Sequence, residues 1–249
     1  LVANYVNILS KTSPRVVVME NVTGMLSMQD GEYVNQLINI FRREGYEISD
    51  KPVVLNAAHY GVPQHRNRVF FFASKRGTIT PPTPTHYNPS LPDEKRPNAA
   101  EEPWVPLVDA VEDLAFLKYG EEALEHKLQP LSQYQAKMRA ESGDELYNHL
   151  ATNHTEDVRK RFKQLKPGQS GNDLPEEHQT KKHSLQRWHY GQPAPTATTL
   201  PDDFIHYSQP RIPTVRELAR IQSFPDWFKF KGPRTTGGRR RENHVPQYS

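Results

Sequence analysis

The sequence predicts an α/β fold, built as the second half of a larger α/β layer followed by a smaller, irregular region. Three observations predict it. The run Val16-Val17-Val18-Met19 is short, continuous and β-branched, as expected of a buried strand. Apolar residues at helical spacing lie on either side of it, at Val2, Tyr5, Val6 and Leu9 and again at Tyr33, Val34, Leu37, Ile38 and Phe41. Beyond residue 76 the chain turns proline-rich and loses its periodicity.

The elements follow in order. The first helix stops before Pro14, which cannot continue it. The apolar strand ends at Glu20 and Asn21, and Gly24 marks the turn. Asp30 is placed to N-cap the second helix, and Gly45 to close it. The stretch YEISDKPVVLNA reads as one extended strand and RVFFFAS, residues 68–74, as another, with the turn-rich AHYGVPQHRN between them. If the strands run parallel, a ligand crevice opens at their carboxyl ends, where Glu20 sits. Residues 1–75 are therefore expected to form a partial α/β domain. Residues 76–195 form a second domain with a Pro-rich entry, carrying short helices at LVDAVEDLAFL and at TEDVRKRFKQLKPGQSG behind Thr155. Residues 196–249 hold a last helix over 214–228, opened by a Thr214/Glu217 capping box and stopped at Pro225, and then a basic tail.

Composition excludes several classes. With 249 residues, 35% apolar and 24% charged, the chain can bury a real core. No apolar run approaches the roughly 18 residues of a membrane helix, and the N-terminus has no signal-peptide pattern. A cytoplasmic location, nucleoid-associated in a bacterium, is the expectation. The chain contains no cysteine, so it offers no disulfide, no thiolate metal site and no thiol nucleophile. Eleven histidines show no ligand pattern; His149 and His154 are too loosely spaced for zinc, and no metal is expected. The net charge of +3 decides little, but Arg and Lys outnumber Asp and Glu from Arg211 onward, which suits a polyanion.

Three motifs then occur in order. ENV (Glu20, Asn21, Val22) ends the strand. Q-x-R-x-R appears as Gln64, Arg66 and Arg68. R-E-x-A-R-x-Q-x-F-P-D appears as Arg216, Glu217, Ala219, Arg220, Gln222, Phe224, Pro225 and Asp226. Together with the passage RWHYGQPAPTATTLPDDFIHYSQPR, they resemble the DNA cytosine-5 methyltransferases over nearly the whole chain, loosely across 77–185. The resemblance implies the second half of a Rossmann-like methyltransferase domain and, at about 76–195, a target recognition domain. It also implies methyl transfer from S-adenosyl-L-methionine to C5 of a cytosine flipped out of double-stranded DNA.

The residue types suit that chemistry. In the family a thiolate adds to C6, and negative charge spreads toward N3 and O2 of the ring. The resemblance assigns Glu20 to face N3, protonated or sharing a proton, a state that burial at a strand tip would favour. It places Arg68 near O2, orienting the carboxylate, with Arg66 fixing the same loop. Asn21 and Gln64 would support the substrate site. Lys181, Lys182 and Arg187 are candidates for contacts to bases and phosphates. Arg216 and Arg220 are expected to pair internally.

Other family features are missing from this sequence: the F-x-G-x-G cofactor loop, the P-C-Q nucleophile and the final G-N-x-V-P-P. The chain thus reads as an incomplete methyltransferase, a partial product or one part of a split enzyme whose partner chain carries the cysteine. Most of the cofactor pocket then lies elsewhere. Two alternatives remain, a non-enzymatic DNA-binding protein and a tRNA cytosine-5 methyltransferase. The intact Glu20, Arg66 and Arg68 argue against the first, and the long 76–195 segment against the second.

Overall fold

The computed structural model describes residues 2–98, 100–179, 185–198 and 201–232. They form two compact units, 2–60 with 66–102, and 61–65 with the described residues from 103 to 232. The proline-rich stretch expected to open the second domain clusters instead with the first unit.

In the first unit, α1 (Val2–Thr12) leads into β1 (Val16–Val22), a run of 3-10 turns and α2 (Glu32–Arg43). β2 (Glu47–Ile48), β3 (Val53–Asn56) and β4 (Asn67–Ser74) follow. The α2 cap differs from expectation. Gly31, at φ 88°, takes the N-cap position, while Asp30 lies at φ 53° and makes no cap. Its C-terminus matches: Gly45 adopts φ 81°, a conformation that disfavours a side chain. YEISDKPVVLNA is broken into β2 and β3 because Pro52 lacks the N–H a continuous strand needs at that point.

The sheet is antiparallel, which corrects the parallel expectation. β4 is its centre, pairing with β1 from Val16↔Ser74 to Val22↔Arg68, and on its other edge with β2 and β3. The burial of β1 explains the misreading. Val17 and Met19 face the core with Leu37, Phe41, Val69 and Phe71. Val16, Val18 and Val22 are 53%, 54% and 54% exposed on the opposite face. An apolar run thus need not be covered on both sides, and a one-sided antiparallel sheet accommodates it.

The proline-rich stretch carries only the short pair β5 (His86–Tyr87) and β6 (Glu102–Pro103). The second unit holds more regular structure than its polar sequence suggests. α3 (Leu107–Val111), β7 (Glu122–Glu125), α4 (Gln133–Arg139) and β8 (Glu145–Leu150) are followed by α5 (Glu156–Gln164), β9 (Gln186–Arg187), β10 (Phe204–Ile205) and α6 (Val215–Arg220). β7 and β8 form an antiparallel pair, and β9 and β10 a parallel one. Thr155 occupies the α5 N-cap without a side-chain hydrogen bond. The Thr214/Glu217 capping box forms in both directions, but α6 ends at Arg220, well before Pro225. Ser223 at φ 62° turns the chain out of the helix.

The centre of this unit is ionic. Glu217 accepts from Arg211 Nη1 at 2.8 Å and Nη2 at 2.6 Å, and faces His206 Nε2 at 3.5 Å. Arg220 spans Asp226 and Asp113, and Arg216 Nη1 lies 3.7 Å from Asp226. All these side chains are fully buried. Arg216 and Arg220 therefore pair internally, as their sequence context suggested.

Candidate active site

The antiparallel register assembles the site. Glu20 stands opposite Phe70 and Val22 opposite Arg68, so Glu20 and Arg68 are diagonal neighbours on one face. Arg68 Nε lies 3.2 Å from Glu20 Oε1, and its Nη1 donates to the Asn67 carbonyl at 2.8 Å. Arg66 enters from the loop that precedes β4. Its N–H donates to Asn56 Oδ1 at 3.2 Å, and its carbonyl accepts from Ala57 at 3.1 Å.

These three side chains line one cavity of about 360 Å³ whose walls include Val18, Leu55, Tyr60, Phe70 and Phe72. That volume lies at the small end of ligand sites and admits a single ring with room to spare. One carboxylate against two guanidiniums gives the polar end a local excess of positive charge. Burial lowers the Arg66 pKa from its ordinary value, and the charge of Arg68 adds to this, while Glu20 opposes it. Glu20 itself is 48% exposed, so the expected burial at a strand tip is replaced by pairing with Arg68. A half-exposed ion pair contributes only about 0.2–1 kcal/mol to stability. Stability alone is therefore a weak reason for this polar cluster on an apolar face. An apolar slot that ends in a carboxylate and two planar donors can hold a flat heterocycle by its edge and stabilise negative charge developing there.

The other predicted residues are placed differently. Asn21 Oδ1 accepts from the Val22 N–H at 2.8 Å, so it shapes its own turn. Gln64 belongs to the second unit; its amide is buried with neither polar atom hydrogen-bonded among the described residues. Lys181 and Lys182 lie outside the described residues. Arg187 does not present its guanidinium to solvent. Nη1 donates to the Phe162 and Leu165 carbonyls, each at 3.1 Å, and Nε to the Tyr207 carbonyl at 3.1 Å. Arg187 is buried, and its Nε and Nη1 donors are engaged by backbone carbonyls.

Two residues were missed. Asn56 Oδ1 accepts from both Ala58 and Arg66, closing the base of the loop that delivers Arg66. Tyr60 lines the cavity, and its hydroxyl donates to the Pro82 carbonyl at 3.0 Å. An Asn that ends a strand before a turn is the signal for the first. Nothing in the sequence separates Tyr60 from its neighbours. Among the described residues no group of His, Asp or Glu could hold a metal ion, and no helix is long and apolar enough to cross a membrane.

Comparison with known proteins adds the following. The family profile for C-5 cytosine-specific DNA methylase matches residues 1–246. Type II methyltransferase M.DdeI of Desulfomicrobium norvegicum is 35% identical over 100% of this chain and 61% of its own length. Type II methyltransferase M.XorII of Xanthomonas oryzae pv. oryzae is 32% identical over 99% of this chain and 59% of its own. The chain thus spans about three fifths of the length of these relatives. A solved structure described as a DNA modification methyltransferase encoded within an E. coli prophage superposes with a TM-score of 0.62. It is 23% identical, covers 91% of this chain and 64% of its own, and so speaks to the fold alone.

Proposed function

The chain belongs to the C-5 cytosine-specific DNA methylases, and from that premise we propose that it supplies the ring-binding half of a cytosine-methylating site acting on double-stranded DNA. One observation carries the reading: Glu20 and Arg68 meet at 3.2 Å, with Arg66 beside them, in a cavity large enough to admit a ring. Cytosine presents N3 and O2 on one edge. Glu20, protonated when the base is bound, donates to N3. Arg68 donates to O2 and holds the carboxyl group in place. Arg66 adds the second positive charge that offsets the negative charge produced when a nucleophile adds to C6.

The methyl donor of the family is S-adenosyl-L-methionine, which supplies an electrophilic methyl group when bound. Its sulfonium is cationic and does not fit a cavity end held by two guanidiniums, so its site lies among other residues. The thiol that adds to C6 also comes from other polypeptide, since this sequence has no cysteine. The exposed face of β1, with Val16, Val18 and Val22, supports the same division. β1 is an edge strand of its sheet among the described residues, and an apolar edge of this kind favours a covering segment. We assign that cover to polypeptide bearing the thiol and the cofactor site, whether in one chain with this sequence or as a partner.

The test is methyl transfer from labelled cofactor to mixed-sequence duplex. The purified chain alone gives none, and supplying thiol-bearing polypeptide in trans restores it. In the restored enzyme Glu20→Gln lowers turnover by about 100-fold or more, the range of a lost general acid, while duplex binding persists. Turnover by the chain alone, or unchanged turnover in the variant, would overturn this assignment.

A further inference from the structure

The second unit carries an exposed aromatic and two exposed lysines on a segment its interior holds rigid. In Pro225–Lys231, Trp227 is 48% exposed, and Lys229 and Lys231 are exposed beside it. The backbone beneath them is clamped by buried polar groups. Arg216 donates to the Tyr147 carbonyl at 2.9 Å, to Pro225 at 3.0 Å and to Phe228 at 2.5 Å. The Asn148 amide holds Phe230 in both directions, each at 2.9 Å. Asp226, the acid of this stretch, is turned inward onto Arg220 and is fully buried. Phe224, just before the segment, Phe228 and Phe230 pack with centroids 4.9–5.3 Å apart, Phe228 itself remaining 36% exposed.

The chain turns at Asp226 and Trp227, where the Phe228 N–H donates to the Pro225 carbonyl at 3.0 Å, and Trp227, Lys229 and Lys231 are all exposed on this turn and the residues after it. Lys229 Nζ sits 3.7 Å from the Tyr147 ring centroid, which holds the ammonium over an aromatic face instead of leaving it to sweep solvent. An isolated exposed Trp needs no special explanation. A Trp fixed by a fully buried Arg and flanked by cations whose local carboxylate has been withdrawn has the charge and shape of a polyanion contact.

We propose that Trp227, Lys229 and Lys231 form a docking ridge for the backbone of duplex DNA, the lysines neutralising phosphates and the indole packing on the adjoining sugar. The ridge rests on the reading of this chain as a DNA methylase and adds a contact surface outside the ring pocket.

The test uses the whole chain and a fluorescein-labelled mixed-sequence duplex, read by anisotropy across a salt series. Trp227→Ala weakens binding about 5-fold or more, from the lost apolar contact with the sugar. The Lys229→Gln and Lys231→Gln variants each flatten the log–log salt slope by about 0.9. Melting temperatures show that the variants fold. As a second readout on the unmodified chain, duplex quenches the solvent-exposed part of the Trp emission, which Trp227→Phe removes. Variants that bind with the parent's affinity and salt slope would sink the ridge and leave the DNA reading standing. A parent chain that binds no duplex even at low salt would overturn both.

Discussion

Replacing Arg220 with methionine should destabilise the second unit severely. The guanidinium is fully buried and engages two carboxylates, with Nη1 3.2 Å from Asp113 Oδ1 and Nε 2.5 Å from Asp226 Oδ1. Nη1 also donates to the Ala110 carbonyl at 2.9 Å. Without Arg220, Asp113 keeps, among the described residues, Arg139 at 3.4 Å. Asp226 keeps Arg216 at 3.7 Å and His126 at 3.2 Å. Two carboxylates in a dry interior are then left with long, partial contacts. Breaking a buried pair by removing one partner costs about 3–5 kcal/mol. For a unit of this size each kcal/mol lowers the melting temperature by about 2–4 °C, so the drop should be about 6–20 °C. Equilibrium urea unfolding gives the free energy directly, from a lower midpoint at an unchanged slope. Adding Asp226→Asn to Arg220→Met should recover part of the loss, because one orphaned charge disappears. A single-variant cost below about 1 kcal/mol, or a double variant worse than the sum of its parts, would refute the argument from uncompensated charge.

Other consequences follow from the same interior. Arg187→Ala should lower stability through three lost carbonyl contacts, by about 2–4 kcal/mol, and leave the duplex affinity of the folded protein unchanged; a selective loss of binding would restore it as a DNA contact. His149 and His206 are held neutral, chiefly by burial, with pKa values lowered from 6.5 to about 4 and about 3. The unfolded chain therefore binds more protons below pH 6.5, and stability should fall as pH drops from 6.5 toward 3, with the slope between 6.5 and 4 about halved by His149→Gln. Urea midpoints that stay flat across that window would contradict the assignment. Asn56→Ala should loosen the loop that delivers Arg66; it should weaken binding of an unpaired cytosine while melting temperature shifts by no more than a few degrees.

Much of this was legible in the sequence because local rules dominated it. α1, α2 and β4 follow from apolar spacing, Pro14 and Gly45. The α6 cap follows from Thr214 and Glu217, although the helix stops early because Arg220 and Asp226 close a tighter turn through their own contact. Strand direction was not legible. An apolar run records hydrophobicity but not which faces are covered or how neighbours pair, and β1 turned out one-sided and antiparallel. The fate of arginines was equally hidden. Arg68 and Arg187 look alike in sequence, yet one lines a cavity and the other is spent on backbone carbonyls. Glu20 and Arg68 were found together through motif resemblance, and the register of β1 on β4 supplies the physical reason they meet.

The most direct measurement is binding of the whole chain to two duplexes that differ in one unpaired base, cytosine or thymine. Cytosine N3 accepts a proton where thymine N3 carries one, so a protonated Glu20 beside Arg68 should favour cytosine. With charged hydrogen bonds contributing about 1.5–3 kcal/mol, the preference should be about 10-fold or more and should vanish in Glu20→Ala and shrink in Arg68→Ala. Equal affinity for the two duplexes, or a preference that survives Glu20→Ala, would contradict the account.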